Sequence, residues 1–532
     1  MASGCTVPAS GLVSDPLSRL PVELLLHITD YLKTTDFFAV RLCSRTLERT
    51  LRHFFLHEFF RCKYFMLTDF SLQGLLAMAR HPVISKTIQT VSVSFEDFSV
   101  ETCNKQATPE QAMQFLAASA QQNSFLTTGR AVQLLAAAFS LLSNLKTVEF
   151  RDWDAVMNYR EGSYFEHRRS YGYHRAVKQM GDSVHYRLSS SSSDPDFESR
   201  AFPVVMAALA QSTARPPNLE VLIRSLSKGL KYTAFDLTSM LHCGVGGDSA
   251  EISTDMNGLA VLAGLRTLHL CLQFAFHSNL SRTLGLRILP FTRPFPKASV
   301  TFMPIHAWLA HCPNVEWLVL RFQSLLCEHN DVFLDALGSP LPASYPFPPG
   351  SPASPDITMP FASHLRRLDL RKLICRWEVL YALLRRLPAL EHLSLQDFSL
   401  ARPQTDTQTP RSIWSLMFVL LSVGIQRTEL KRLTLERLGV ATTCYPQPGV
   451  LELYEVLING GYSIDLMAEL DRPIRQMLKL VCIETELVGD SDDEDVNYSD
   501  LDVDEDEGED EGEDEGGNDA GEDDEEEVDE ET

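Results

Sequence analysis

A phrase of three apolar positions, spaced i, i+3 and i+5, recurs through the middle of the chain. It reads Ile88-x-x-Val91-x-Val93, Leu145-x-x-Val148-x-Phe150, Leu265-x-x-Leu268-x-Leu270 and Val315-x-x-Leu318-x-Leu320. It returns as Leu365-x-x-Leu368-x-Leu370, Leu390-x-x-Leu393-x-Leu395 and Leu430-x-x-Leu433-x-Leu435. Leu219-x-x-Leu222 starts the phrase once more, with Arg224 in the third apolar place. The last two apolar places alternate with polar ones, as a short strand with one buried face requires. Apolar stretches of helical length precede most of these strands, over 131–142, 203–211, 304–311, 377–387 and 413–423. Short turns such as Pro313-Asn314 and Pro388-Ala389 join helix to strand. Helix, turn and short strand, repeated, predict a stack of similar units.

The N-terminal pattern is different. From Leu20-Pro21-Val22-Glu23-Leu24-Leu25 to Leu42-Cys43-Ser44-Arg45 the apolar residues follow helical spacing. Pro21 fits the first helical position, and Glu23 in the first turn suits the helix dipole. Leu24, Leu25, Ile28 and Leu32 make one stripe. Thr34 or Thr35 can cap a second helix at Asp36, and 45–60 continues as a third. So small a unit cannot bury all its leucines alone, so a partner chain or a neighbouring domain must cover them.

Two resemblances follow from these residues. The run Leu-Pro-x-Glu-Leu-Leu-x-x-Ile-x-x-x-Leu, an Asp four residues on, and Leu-Cys-Ser-Arg resemble an F-box over residues 16–60. The Leu-x-x-Leu-x-Leu phrase resembles leucine-rich repeats. Its first positions at 265, 315, 365, 390 and 430 are irregularly spaced, and the Asn that usually follows the strand is missing. The expected fold class is therefore α/β: a short all-α F-box, then an irregular leucine-rich-repeat-like α/β solenoid over 61–488. The other reading of the repeats is an α/β domain with a parallel sheet that is not a solenoid. The F-box resemblance implies docking onto a Skp-type adaptor and, through it, a cullin scaffold. Leu20, Pro21, Leu24, Leu25, Ile28, Leu32 and Leu42 are the expected adaptor-binding residues. An ordinary helical cap on a larger core is the alternative for this segment.

Composition changes the picture at one end only. Of the net charge of −24, 27 negative charges lie between Asp490 and the C-terminus, where there is no Lys or Arg; the rest of the chain is left at +3. A tail over 489–532 that is nearly devoid of apolar residues is expected to be disordered, as is the flexible start at 1–15. Two insertions are expected near 158–202 and 338–360. The first carries Ser189–Ser193 and a stretch interleaving Tyr and Arg; the second has eight prolines. Eleven cysteines without a Cys-x-x-Cys pair read as a reducing compartment. No signal peptide or membrane span is expected, which points to a cytoplasmic or nuclear protein. A near-neutral body and an anionic tail also argue against nucleic acid.

The chain offers no reason to expect catalysis, a cofactor or a metal. His53 and His57 stand at i and i+4, but Phe54 occupies the place where a zincin has its Glu. Gly244-Val245-Gly246-Gly247-Asp248 lacks the Lys-Ser/Thr of a phosphate loop. The expected function is that of a substrate-recognition subunit of a Skp–cullin–F-box ubiquitin ligase. Residues lying between the strand leucines point to the open face, and there Trp317, Arg321, Arg367, Arg371, His392 and Arg432 are the candidates for holding a target. The cluster is basic, so the expected target is acidic or phosphorylated. The alternative is a non-catalytic F-box scaffold, or a chaperone-like protein whose acidic tail binds basic partners, outside ubiquitylation.

Overall fold

The structure is a computed structural model. It describes residues 16–95, 98, 108–152, 170–173, 175, 197–223, 229–237, 253–273, 303–323, 327–337, 360–401, 430–441, 453–457, 462–465 and 484–485. The expected N-terminal segment, the helix over 413–423, the acidic tail and most of the two insertions lie outside these residues.

Three helices open the chain: α1 (Val22–Asp30), α2 (Thr34–Cys43) and α3 (Arg45–Phe60). Pro21 is the N-cap of α1, with ψ 146°, one place earlier than its expected position inside the helix. The second helix starts at Thr34 behind Lys33, two residues before Asp36. Ser44 breaks α2 from α3 by its extended backbone, and its Oγ accepts the Leu47 N–H at 3.1 Å as a helix cap. Leu25, Phe37, Leu47 and Leu51 form a separate small core, with Leu20, Leu32, Val40, Phe55 and Phe59 packed around it. The Arg41 guanidinium covers the Phe55 ring at 3.3 Å.

Strand β1 (Cys62–Met66) follows α3 directly. It is joined by β2 (Thr90–Ser94), β3 (Thr147–Arg151), β4 (Asn218–Leu222), β5 (Thr267–Leu272) and β6 (Trp317–Phe322). Then come β7 (Arg367–Cys375), β8 (His392–Ala401), β9 (Arg432–Ala441), β10 (Leu453–Leu457), β11 (Tyr462–Asp465) and β12 (Glu484–Thr485). Each strand from β1 to β8 pairs with the next in parallel. The last three strands are antiparallel additions, β10 and β11 on β9 and β12 on β10. The helices between them are α4 (Asp69–Arg80), α5 (Ile84–Thr87), α6 (Pro109–Thr127), α7 (Arg130–Leu141) and α8 (Phe197–Gln211). Further on are α9 (Ser253–Gly264), α10 (Met303–Ala310), α11 (Cys327–Leu337) and α12 (Trp377–Arg385). The result is the mixed α/β fold that the pattern predicts. Strand order follows chain order without the reversal that marks a doubly wound sheet. That sequential order is what stacked helix–strand units produce.

The register explains the phrase. Val91, Val148, Leu219, Leu268, Leu318, Leu368 and Leu393 are successive Cα partners, and each is fully buried or nearly so. The frame of β4 differs from expectation by three residues. Leu219 and Val221 occupy the strand's two apolar places and a buried Pro216 takes the first, so Arg224 has no place in the phrase. Helix α8 begins at Phe197, six residues before the expected start, because Phe197, Ala201 and Phe202 are core residues; the insertion therefore ends earlier than residue 202. One apolar core runs from Phe65 to Leu430, with Trp308 wedged 6.1 Å from Phe202 and 5.6 Å from Phe235, ring to ring.

Two devices order the sheet. A short piece of the first insertion covers the outer side of β1: Tyr171 N donates to the Tyr64 carbonyl at 2.9 Å, and Ser71 Oγ donates to the Tyr171 carbonyl at 2.6 Å. A side chain at Gly74 would collide with the Tyr171 ring. The sheet's first edge is thus blocked against further pairing. At the turns before β5 to β9 stand Arg266, Glu316, Arg366, Glu391 and Lys431, alternating in charge. Each backbone N–H of the last four donates to the carbonyl of the one before at 2.7–2.8 Å. Side-chain pairs close at 3.5 Å (Arg266–Glu316) and 3.1 Å (Lys431–Glu391).

Candidate functional site

Two surfaces carry the expected site residues. On the N-terminal unit, Leu24 (51% exposed) and Ile28 (43%) lie at i and i+4 on α1, and Tyr31 (78%) extends the stripe. Phe38 and Leu42 (81%) make the same spacing on α2. Pro21 is exposed as well. The expected stripe is split, however. Leu25 is turned into the unit's own core at 2% exposure, and Leu20 and Leu32 pack half-buried against that core. Helix α1 is apolar on two sides, and the 100° step between consecutive residues turns Leu24 outward while Leu25 faces in. Tyr31 and Phe38 were not among the expected residues, although the i+3/i+4 spacing from Ile28 and to Leu42 marks them.

The second surface is the sheet face away from the buried leucines. The strands align its residues in three rows. The central row runs Ser92, Glu149, Glu220, His269, Val319, Asp369, Ser394, Thr434. One flanking row contains Trp317, Arg367, His392 and Arg432, and the other Cys271, Arg321, Arg371 and Gln396. The structure therefore brings all six expected target residues onto adjacent strands. Much of the central row is buried although polar: Ser92 0%, Glu149 3%, Asp369 0%, Ser394 1%. Buried polar groups need partners. Ser92 Oγ donates to Glu149 Oε1 at 3.3 Å, and Arg151 pairs with the same carboxylate.

Asp369 organises the rest. Arg367 reaches it with a fork, Nε to Oδ1 at 2.9 Å and Nη2 to Oδ2 at 3.0 Å. Arg371 approaches with Nη2 at 3.6 Å from Oδ2. Trp317 turns Nε1 toward the same oxygen at 3.4 Å, and the Arg367 guanidinium lies 4.1 Å over its ring. His269 meets Trp317 edge-on at 4.9 Å. Burial pushes the His269 pKa down to about 4, with nearby Arg371 and Arg367 adding to it and Asp369 opposing, so the imidazole is neutral at pH 7. Burial raises the pKa of Glu220, 3.8 Å from His269. Arg321 donates Nη1 to the Ile223 carbonyl at 2.8 Å. His392 Nε2 pairs with Thr434 Oγ1 at 3.0 Å, and Arg432 is exposed. The strand pattern places Asp369 on the open face but not among the expected target residues, and it does not single out His269. The alternation Arg367-x-Asp369-x-Arg371 was the available signal for the first.

His53 and His57 stack at 6.4 Å on α3, with Arg61 3.4 Å from His57 Nε2; a cation there opposes metal binding. Cys271, Cys312 and Cys375 are buried and their thiol pKa values are raised by that burial, so they are held as thiols. Among the described residues no helix is long and apolar enough to cross a membrane. Compared with known families, residues 17–59 match the profile of the F-box domain, which covers all three opening helices. A search of curated proteins finds no match.

Proposed function

We propose that this F-box protein is the substrate-recognition subunit of a Skp–cullin–F-box ubiquitin ligase. F-box domains in general bind Skp-type adaptors. In this reading the sheet is a leucine-rich-repeat-like platform, and the two flanking rows carrying Trp317, Arg321, Arg367, Arg371, His392 and Arg432 hold the target. Chemistry on the target belongs to the enzyme carried elsewhere in the complex, and this chain acts by proximity. The observation that carries the reading is the exposed apolar stripe of Leu24, Ile28, Tyr31 and Leu42 on a unit whose own core is already complete without them. Apolar residues so arranged call for a covering partner.

The test is adaptor binding by the full chain carrying Leu24→Ala with Ile28→Ala. Each buried side chain contributes ~1.5–3 kcal/mol, so affinity should fall at least ~10-fold. Unchanged binding by the double variant would remove the docking face. Cullin recovered together with the adaptor supports the ligase; adaptor without cullin favours the scaffold reading.

A further inference from the structure

On one flanking row of the sheet face two arginines stand side by side. Arg321 of β6 and Arg371 of β7 are register partners, one strand spacing of ~4.8 Å apart. Like charges directly opposite each other destabilise a sheet, so the pair asks for an explanation. Its neighbours on the row supply no compensating acid. Cys271 is a buried neutral thiol on one side, and Gln396 stands on the other. Arg321 spends one donor on the Ile223 carbonyl and makes no ion pair among the described residues. Arg371 has the 3.6 Å approach to Asp369, while its Nε is buried with no hydrogen-bond partner among the described residues. Such an unmade donor is costly unless a ligand takes it up. Arg367 is different: its fork is occupied by Asp369 and its face by Trp317.

We propose that Arg321 and Arg371 form a seat for one phosphate group carried on a target peptide, with Arg367 and Trp317 as its fixed wall. The proposal rests on the reading that this face holds the target. Charge supports phosphate over carboxylate. Three arginines against Asp369, with His269 neutral, leave a local charge near the ~−1.5 to −2 of a phosphate monoester reversed in sign. Three further acids stand off the seat: Glu220, two strands from Arg321 and facing His269; Glu436, two strands from Arg371 on the seat's own row; and Asp152, whose charge reaches Cys271. Spacing supports it too. Carboxylates at i and i+2 of an extended peptide lie ~6.6 Å apart, wider than one strand spacing. A single phosphate presents several oxygens and can accept from both forks at once.

The test uses the full chain on immobilised degenerate peptide arrays centred on phosphoserine, on serine and on glutamate. The phosphoserine array should retain the protein best. Arg321→Ala and Arg371→Ala should each weaken that retention about 10-fold or more. Arg366→Ala removes an exposed cation at the turn before β7, outside the seat and outside the residues read as holding the target, and should change it less than about 2-fold. Arg321→Ala leaves every Asp369 contact in place, so the test stands even where Arg371→Ala fails to fold. Equal retention on phosphoserine and glutamate, retention on none of the arrays, or an equal loss in Arg366→Ala overturns the seat. Adaptor binding is measured on the same preparations. Loss of adaptor binding with phosphoserine preference intact sinks the ligase reading and spares the seat; the reverse sinks the seat alone.

Discussion

In the F-box both the buried and the protruding residues are apolar: Leu25 and Phe37 inside, Leu24 and Leu42 outside. On the sheet face most buried positions at the strand centres are polar or charged, Ser92, Glu149, Asp369 and Ser394, with Val319 as the apolar exception, while arginines and Trp317 rise around them. The two regions solve different problems. An apolar stripe gives binding energy in proportion to area and asks little of its partner's detail. A face of paired charges gives little net energy, because each pair has already given up its water, but it rejects a partner with the wrong charge. The first suits a partner shared by many proteins; the second suits one partner chosen among many.

The largest effect separates neighbours on one helix. Leu25→Ala should destabilise the F-box by about 2–5 kcal/mol, because its site is closed on all sides. Leu24→Ala should change stability by no more than about 0.5 kcal/mol while still weakening adaptor binding. Hydrogen exchange of α1 to α3, resolved by region, reads both. Equal destabilisation by the two changes would mean that the apolar surface is part of the core.

A second effect belongs to the sheet face. His269 has a folded pKa near 4 against an ordinary 6.5, so the unfolded chain takes up its proton first. Its contribution is complete above pH 6.5 and is lost as the pH falls from 6.5 toward 4, by up to about 3 kcal/mol. Glu220 works the other way. Its raised pKa means the folded state keeps a proton that the unfolded state releases, so stability is gained as pH falls through that window. The net loss is therefore smaller than His269 alone would give. In His269→Gln the fall between pH 6.5 and 4.5 should shrink or reverse, as followed by denaturant midpoints across that range. An unchanged profile would mean that other groups set the acid limb.

Much of this architecture is legible from alternation alone, because a strand with one buried face repeats every two residues whatever lies between strands. Seven of the phrases mark strands at the positions their leucines indicate. Pattern and structure part where a residue breaks the alternation without breaking the strand. Pro216 holds the first apolar place before β4, and a pattern built on Leu cannot register it. β1 escaped notice because Lys63 stands where its neighbour β2 has Val91. The apolar run predicts α8 from Pro203, a favoured starting residue, although the first two turns are buried apart from Arg200. For the candidate site, the sequence shows which side chains share a face but not which of them are already partnered. Arg367 and Arg371 look alike in sequence, and only the position of Asp369 distinguishes them. Leu24 and Leu25 look alike for the same reason, until the second helix shows which is covered.

The smallest effect tests how the units find their order. Arg266, Glu316, Arg366, Glu391 and Lys431 alternate in charge along the turn edge of β5 to β9. Their side chains are mostly exposed, from Arg266 at 68% down to Glu391 at 28%, so each pair contributes little. Reversing one member is a sharper test than deleting it. Glu316→Lys places three cations on consecutive turns, and cross-strand repulsion should cost up to about 1 kcal/mol at low salt. The cost should shrink in high salt, since the screening length drops from ~10 Å at 0.1 M to ~3 Å at 1 M. Adding Arg266→Glu to Glu316→Lys restores one opposite pair and should recover part of the loss. Midpoints of denaturation for the single and double variants at both salts decide it. If Glu316→Lys costs the same at both salts and Arg266→Glu recovers nothing, the alternation has no role in stability, and the backbone bonds between the turns set the order unaided.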